Sequence, residues 1–248
     1  MDFLFTYYAY RPAQLERWHP GPGVVLRGDA ASAYLRSTSY VRDETVDGVR
    51  LEPAGLPARL SATAGFVQSL LTATSSRRPR LGCFGLHEWA MVYRSDRPRH
   101  GTVPLRLGAA GTDAVVEALP VHCTHHDAYR FFTDAARPRN AAAPTREDQV
   151  TMEQPGCLHA NMDLYKWATK LAPLAPSGLI ADCFELAVAV RELDMAASPY
   201  DLAAYGYGPV PIETAAGRAA YAQAQSAFAD RAAPLRMQLI DICARLTG

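Results

Sequence analysis

Lysine is almost missing from this chain of 248 residues. Arginine supplies 23 of the 25 basic residues, and the two lysines, Lys166 and Lys170, fall in one segment. A GC-rich genome writes arginine for lysine, so the excess itself says little, but a site-facing lysine would stand out. Net charge is missing as well, with 25 basic against 25 acidic residues. That weighs against a chain built mainly to grip nucleic-acid phosphates, although local basic runs remain at Arg77-Arg78-Pro79-Arg80 and from Arg94 to Arg99. No apolar run approaches the roughly 18 residues of a membrane span. No basic-then-apolar leader opens the chain, so the expectation is a cytoplasmic protein with no membrane partner. Cys-x-x-Cys is absent. The cysteines (Cys83, Cys123, Cys157, Cys183, Cys243) are odd in number and widely spaced, which excludes a zinc ribbon, a thioredoxin site or a disulfide framework. Neither of the common glycine-rich phosphate cradles is present, nor a Gly-x-Ser-x-Gly elbow.

Plentiful aliphatic side chains with balanced charge exclude a disordered chain and supply a core. The patterning predicts a mainly α (α+β) fold: one domain, 1–248, with an irregular N-terminal wrap over 1–60 and a helical core over 61–248. Short strands are expected at 3–8 and 24–28, and a β-hairpin near 103–119. Helices are expected from Ser61 to Ser75, through the apolar stretch Leu81–Tyr93, from Thr124 to Phe132, and from Leu158 to Leu171. Two more follow, from Gly178 to Asp194 with Ser177 as cap, and from Thr214 to Leu246 with a kink near Pro234.

Histidine is the unusual component. His87, His100, His122, His125 and His126 fall within 40 residues, where an even spread of the seven would give about one. Neutral imidazole is the commonest metal ligand and a general acid or base. His87-Glu88 lacks the second histidine of a zinc-protease helix, because Met91 stands at that position. On a helix the two side chains also diverge by about 100°. Glu88 is therefore either ion-paired to an arginine such as Arg94 or functional. In Val121-His122-Cys123-Thr124-His125-His126-Asp127, a strand-end His122 and a helix-start His125 can converge, with Asp127 as cap or ligand. His159, Asp163, Lys166 and Lys170 recur at helical spacing on one face. They form either a ligand pair with adjacent lysines or a solvated ion ladder. Asp182, Glu185 and Glu192 form a stripe that reads best as surface ion pairs.

The expected site thus has metal ligands His87, His122, His125 and His159, catalytic Glu88, Asp163 and Lys166, and substrate contacts Trp89, Tyr93, Asn161 and Arg130. Two histidines with one carboxylate suit non-haem iron, placed ahead of zinc, acting on a small substrate with heterocycles among the candidates.

Longer strings add a resemblance. Gly85-Leu86-His87-Glu88-Trp89-Ala90-Met91-Val92-Tyr93-Arg94, Asp127-Ala128-Tyr129-Arg130-Phe131-Phe132, Gln154 to Trp167, Arg191 to Met195 and Ser198 to Leu202 together resemble a bacterial, mainly actinobacterial, family. That family carries the label 3-methyladenine DNA glycosylase. The resemblance spans roughly residues 80–236 and brings no catalytic residues with it. It implies a base-flipping N-glycosylase acting on DNA, for which Glu88 or Asp163 would activate water. A non-enzymatic nucleic-acid or ligand-binding module, with the histidines on its surface, is the third reading.

Overall fold

The computed structural model describes Leu4, Tyr8 and residues 16–98 and 100–247. The expected strand at 3–8 lies largely outside the described residues. The described fold is mainly α, with one small antiparallel sheet. None of its helices is long and apolar enough to cross a membrane. The chain divides into two compact units, residues 1–72, 164–185 and 234–248, and residues 73–163 and 186–233.

The first unit holds the sheet. Strands β1 (Val25–Leu26), β2 (Tyr40–Asp43) and β3 (Gly48–Leu51) lie in the order β1-β3-β2. Val25 pairs with Arg50, and Tyr40 with Leu51. Val49 and Leu51 are buried at alternate positions of β3, as the strand period requires. The β element therefore sits within the N-terminal 60 residues, expected as an irregular wrap; β1 falls inside the strand expected at 24–28, while β2 and β3 were not expected. Helix α1 (Ala58–Ser75) starts three residues before Ser61, directly after Pro57, and buries Leu60, Ala64, Val67, Leu70 and Leu71.

The second unit carries six of the seven histidines, all but His19. Two short helices, α2 (Leu86–Ala90) and α4 (His126–Tyr129), flank α3 (Gly108–Ala118). The hairpin expected near 103–119 does not form: Gly108–Ala118 is a helix, and only Leu105 makes a bridge, to Tyr200. Val115 and Val116 favour strands taken alone. Buried Thr112, Val115 and Val116, however, sit at i, i+3 and i+4, the helical spacing. Beyond α5 (Gln149–Met152) come α6 (Leu158–Lys170), α7 (Ser177–Ala196) and α8 (Ala215–Thr247, with Pro234 inside it). Thr214 caps α8, its hydroxyl accepting from Gly217 N at 2.9 Å.

Helix α2 is much shorter than Leu81–Tyr93. Phe84 (φ +49) and Gly85 (φ +73) are both left-handed, so the helix begins only at Leu86. A bulky residue seldom adopts that conformation. Here it turns His87 and Glu88 into the interior.

Candidate metal centre

Two groups of three ligand-bearing side chains lie in the second unit. One is His87, His159 and Asp194; the other is His125, Glu153 and Asp163. Within each group the three potential ligand atoms are all within 4.8 Å of one another. His159 stands beside both remaining histidines. Its ring centroid is 4.5 Å from that of His87, edge-on, and 5.3 Å from that of His125, stacked.

In the first group His87 Nε2 lies 2.8 Å from Asp194 Oδ1, and His87 Nδ1 lies 3.4 Å from Cys83 Sγ. Asp194 is held from its other side by Arg191, whose Nη1 donates to Oδ2 at 2.7 Å and to Glu88 Oε1 at 3.1 Å. Burial opposes charge on His87, yet Asp194 and Cys83 keep its imidazole protonated well above the usual histidine range. Burial likewise opposes charge on Asp194, but His87 and Arg191 hold its carboxyl well below the usual range. Burial and the neighbouring His87 charge push His159 the other way, well below the histidine range, so it is neutral. Burial and the Asp194 charge raise Glu88 despite Arg191.

In the second group two carboxylates converge on one imidazole nitrogen. Glu153 Oε1 is 3.3 Å and Asp163 Oδ2 is 3.5 Å from His125 Nε2, and all three side chains are at most 2% exposed. Gln149 Nε2 donates to Glu153 Oε1 at 2.7 Å. The Glu153 backbone is fixed by Arg77, whose two terminal nitrogens donate to the carbonyls of Glu153 (2.8 Å) and Val150 (2.7 Å).

A narrow pocket of about 10 Å³ opens onto the first group. Cys83, Cys123 and Cys157 stand in its wall with His87, His122 and His159. Its volume is about that needed for one water molecule. Burial raises the Cys123 and Cys157 thiols, with the other cysteines adding to it. Tyr221 and Gln225, one turn apart on α8, complete the wall. Gly156 lets the chain close around it. A Cβ there would sit 2.8 Å from Arg80 O and 3.0 Å from Gln154 Oε1. Gly156→Ala is therefore expected to cost about 1–3 kcal/mol, read as a lowered urea midpoint. An unchanged midpoint would mean that the Arg80 backbone gives way freely.

Of the expected ligands, His87, His125, His159 and Asp163 fall in the two groups and His122 does not. Val121 bridges Asn140, and side chains alternate along this extended stretch. Val121 and Cys123 are buried and His122 points outward, exposed at the pocket rim. Glu88 serves Arg191, not Arg94; Arg94 pairs with Glu117. Asp127 does not cap α4, whose N-cap is His125, and instead faces Arg130 (3.3 Å). Lys166 and Lys170 bracket the Trp167 ring in the first unit, at 4.5 and 5.2 Å. The four expected substrate contacts are engaged within the protein. Trp89 Nε1 donates to Ala197 O, Tyr93 Oη to Glu117 and Asn161 Nδ2 to Pro155 O, while Arg130 pairs with Asp127. None of the four lines the narrow pocket.

Asp194, Glu153 and Arg191 were not among the expected site residues. Asp194 had a readable signal: it continues the buried stripe Ala187, Val190 at i, i+3 and i+7, a carboxylate on an apolar face. Glu153 follows a four-residue helix and has no periodic context. Comparison with protein-family models, with curated proteins and with solved structures finds no match.

Proposed function

We propose that this chain is a metal-dependent enzyme whose centre is built from His87, His159 and Asp194, with His125, Glu153 and Asp163 beside them. The observation that carries this reading is the convergence of Glu153 and Asp163 on His125 inside the protein. Two like charges so close are unfavourable unless a cation lies between them, which here is either the His125 imidazolium or a bound metal ion. Both groups offer only nitrogen and oxygen donors, and two histidines with one carboxylate is the donor set of oxygen-activating non-haem iron. That composition favours iron over zinc. An ion bound there would supply activation of dioxygen or water.

The protein's own residues orient the ligands. With His87 Nε2 turned toward the ion, Nδ1–H donates to Cys83 sulfur and fixes the ring. Arg191 holds one oxygen of Asp194 and leaves Oδ1 for the site. Elemental analysis of untagged, reconstituted protein tests the reading: less than about 0.2 metal per chain would end it. Because His87 is protonated in the ion-free protein, uptake must release that proton. Affinity is therefore expected to rise with pH. Calorimetric heats should differ between buffers of different ionisation enthalpy, and buffer-independent heats would speak against His87 as a ligand.

One observation favours a second reading. Cys83, His87 and Asp194 also form a thiol–imidazole–carboxylate line, the arrangement of a nucleophilic cysteine with its base and orienter. In that reading His87 Nε2 keeps its proton for Asp194 and does not ligate. Metal content distinguishes the two: occupied protein supports the first, whereas metal-free protein in which iodoacetamide labels Cys83 ahead of the other cysteines supports the nucleophile reading. The N-glycosylase alternative draws less support. Glu88 is tied to Arg191 and Asp163 faces His125.

A further inference from the structure

A second, wider pocket of about 330 Å³ lies in the same unit, lined by Arg77, Arg78, Arg80, Thr124, Thr151 and Gln154. Its volume falls at the lower end of the small-molecule range. Three guanidinium groups face it, and among the described residues no carboxylate stands in its wall. Arg77 is occupied with the Glu153 and Val150 carbonyls, but Arg78 and Arg80 are exposed. The Arg80 backbone is held in place by the Gln154 amide, which accepts from Arg80 N at 2.8 Å and donates to Arg80 O at 3.2 Å. Thr124 and Gln154 also belong to the wall of the narrow pocket at His87 and His159.

The narrow pocket carries its own sign of a ligand. Tyr221 Oη and Gln225 Oε1 are fully buried in its wall, and neither has a hydrogen-bond partner among the described residues. Burial and the charge of Asp194 keep the Tyr221 hydroxyl protonated, so it is a donor beside an acceptor. Buried polar groups in native proteins are normally satisfied, and an orphaned pair points to something that binds there.

We propose that the arginine-lined pocket receives the anionic group, a carboxylate or a phosphate, of a small-molecule substrate whose other end lies at the mouth of the narrow pocket. This rests on the metal-centre reading only for which end reacts. A guanidinium pair fits both anions, since each presents two oxygens to the fork of N–H donors. The concave shape favours a small molecule over a nucleic acid, which needs cations spread along a backbone, and the chain's net charge is zero.

The test is calorimetric titration of the full chain with inorganic phosphate, with succinate and with a short DNA duplex. Saturable binding of phosphate or succinate is expected, and the stronger of the two arms identifies the anion. The double variant Arg78→Ala/Arg80→Ala should weaken that binding about 10- to 100-fold, with unchanged metal content and thermal midpoint. Equal affinity in the variant, no binding of either anion to the wild type, or arginine-dependent binding of the duplex alone would overturn the proposal. A protein that holds no metal yet binds the anion through Arg78 and Arg80 would refute the metal centre and leave this pocket standing.

Discussion

His159→Ala is expected to strip most of the metal from the protein, to below about 0.2 per chain by elemental analysis of reconstituted, untagged material. The size of the effect follows from position. His159 supplies a donor to the first group and stacks on the histidine of the second. It is also the imidazole that burial and the His87 charge keep neutral, the state in which a ring nitrogen binds an ion without first losing a proton. Glu88→Gln is the matched control. Glu88 touches Arg191 and belongs to neither group, so that variant should keep its metal. Full occupancy in His159→Ala would show that the three-histidine row is a packing feature.

Asp194→Asn should destabilise the metal-free protein by about 3–5 kcal/mol. The substitution is nearly isosteric, so the loss is electrostatic: the His87 imidazolium and the Arg191 guanidinium remain buried without their shared anion. The dependence on pH identifies the cause. Asp194 is held below its ordinary value of 3.8, so its contribution is complete above that value and fades as the pH falls toward the folded value. His87 is held above its ordinary 6.5, so its contribution is complete below 6.5 and fades as the pH rises through the folded value. Wild-type stability from this pair therefore has a plateau between about pH 4 and 6.5. Urea midpoints across a pH series should show the plateau in the wild type and not in Asp194→Asn. Equal midpoints at pH 5.5 would remove the pair from the stability of the fold.

Helical patterning made the fold class legible, because α6, α7 and α8 carry long amphipathic or apolar stretches between capping signals. The sheet was harder to read. Its strands are two to four residues long, too short for alternation to register, and their pairing depends on contacts outside the local sequence. Val115-Val116 misled for a related reason, since strand preference describes a pleated surface and these valines pack on a helix face. At the site, clustering and spacing found His87, His125, His159 and Asp163. His122 was lost to the alternation of an extended segment that could not be phased without Asn140. Asp194 differs from the exposed stripe at Asp182, Glu185 and Glu192 by its burial on an apolar face, a property that the clustering of acids does not show. Glu153 comes into place through Arg77, a contact spanning 76 residues of sequence.

The row His87–His159–His125 sets a member of the first ligand group against the histidine of the second. An ion in the first group would fix the orientation and charge of His159, and so alter the field at His125, where a second ion would sit. Loading is then not a pair of independent equilibria. A titration with ferrous ion should depart from two equal, separate sites, and the direction of the departure reports whether the first ion prepares the other place or repels its occupant.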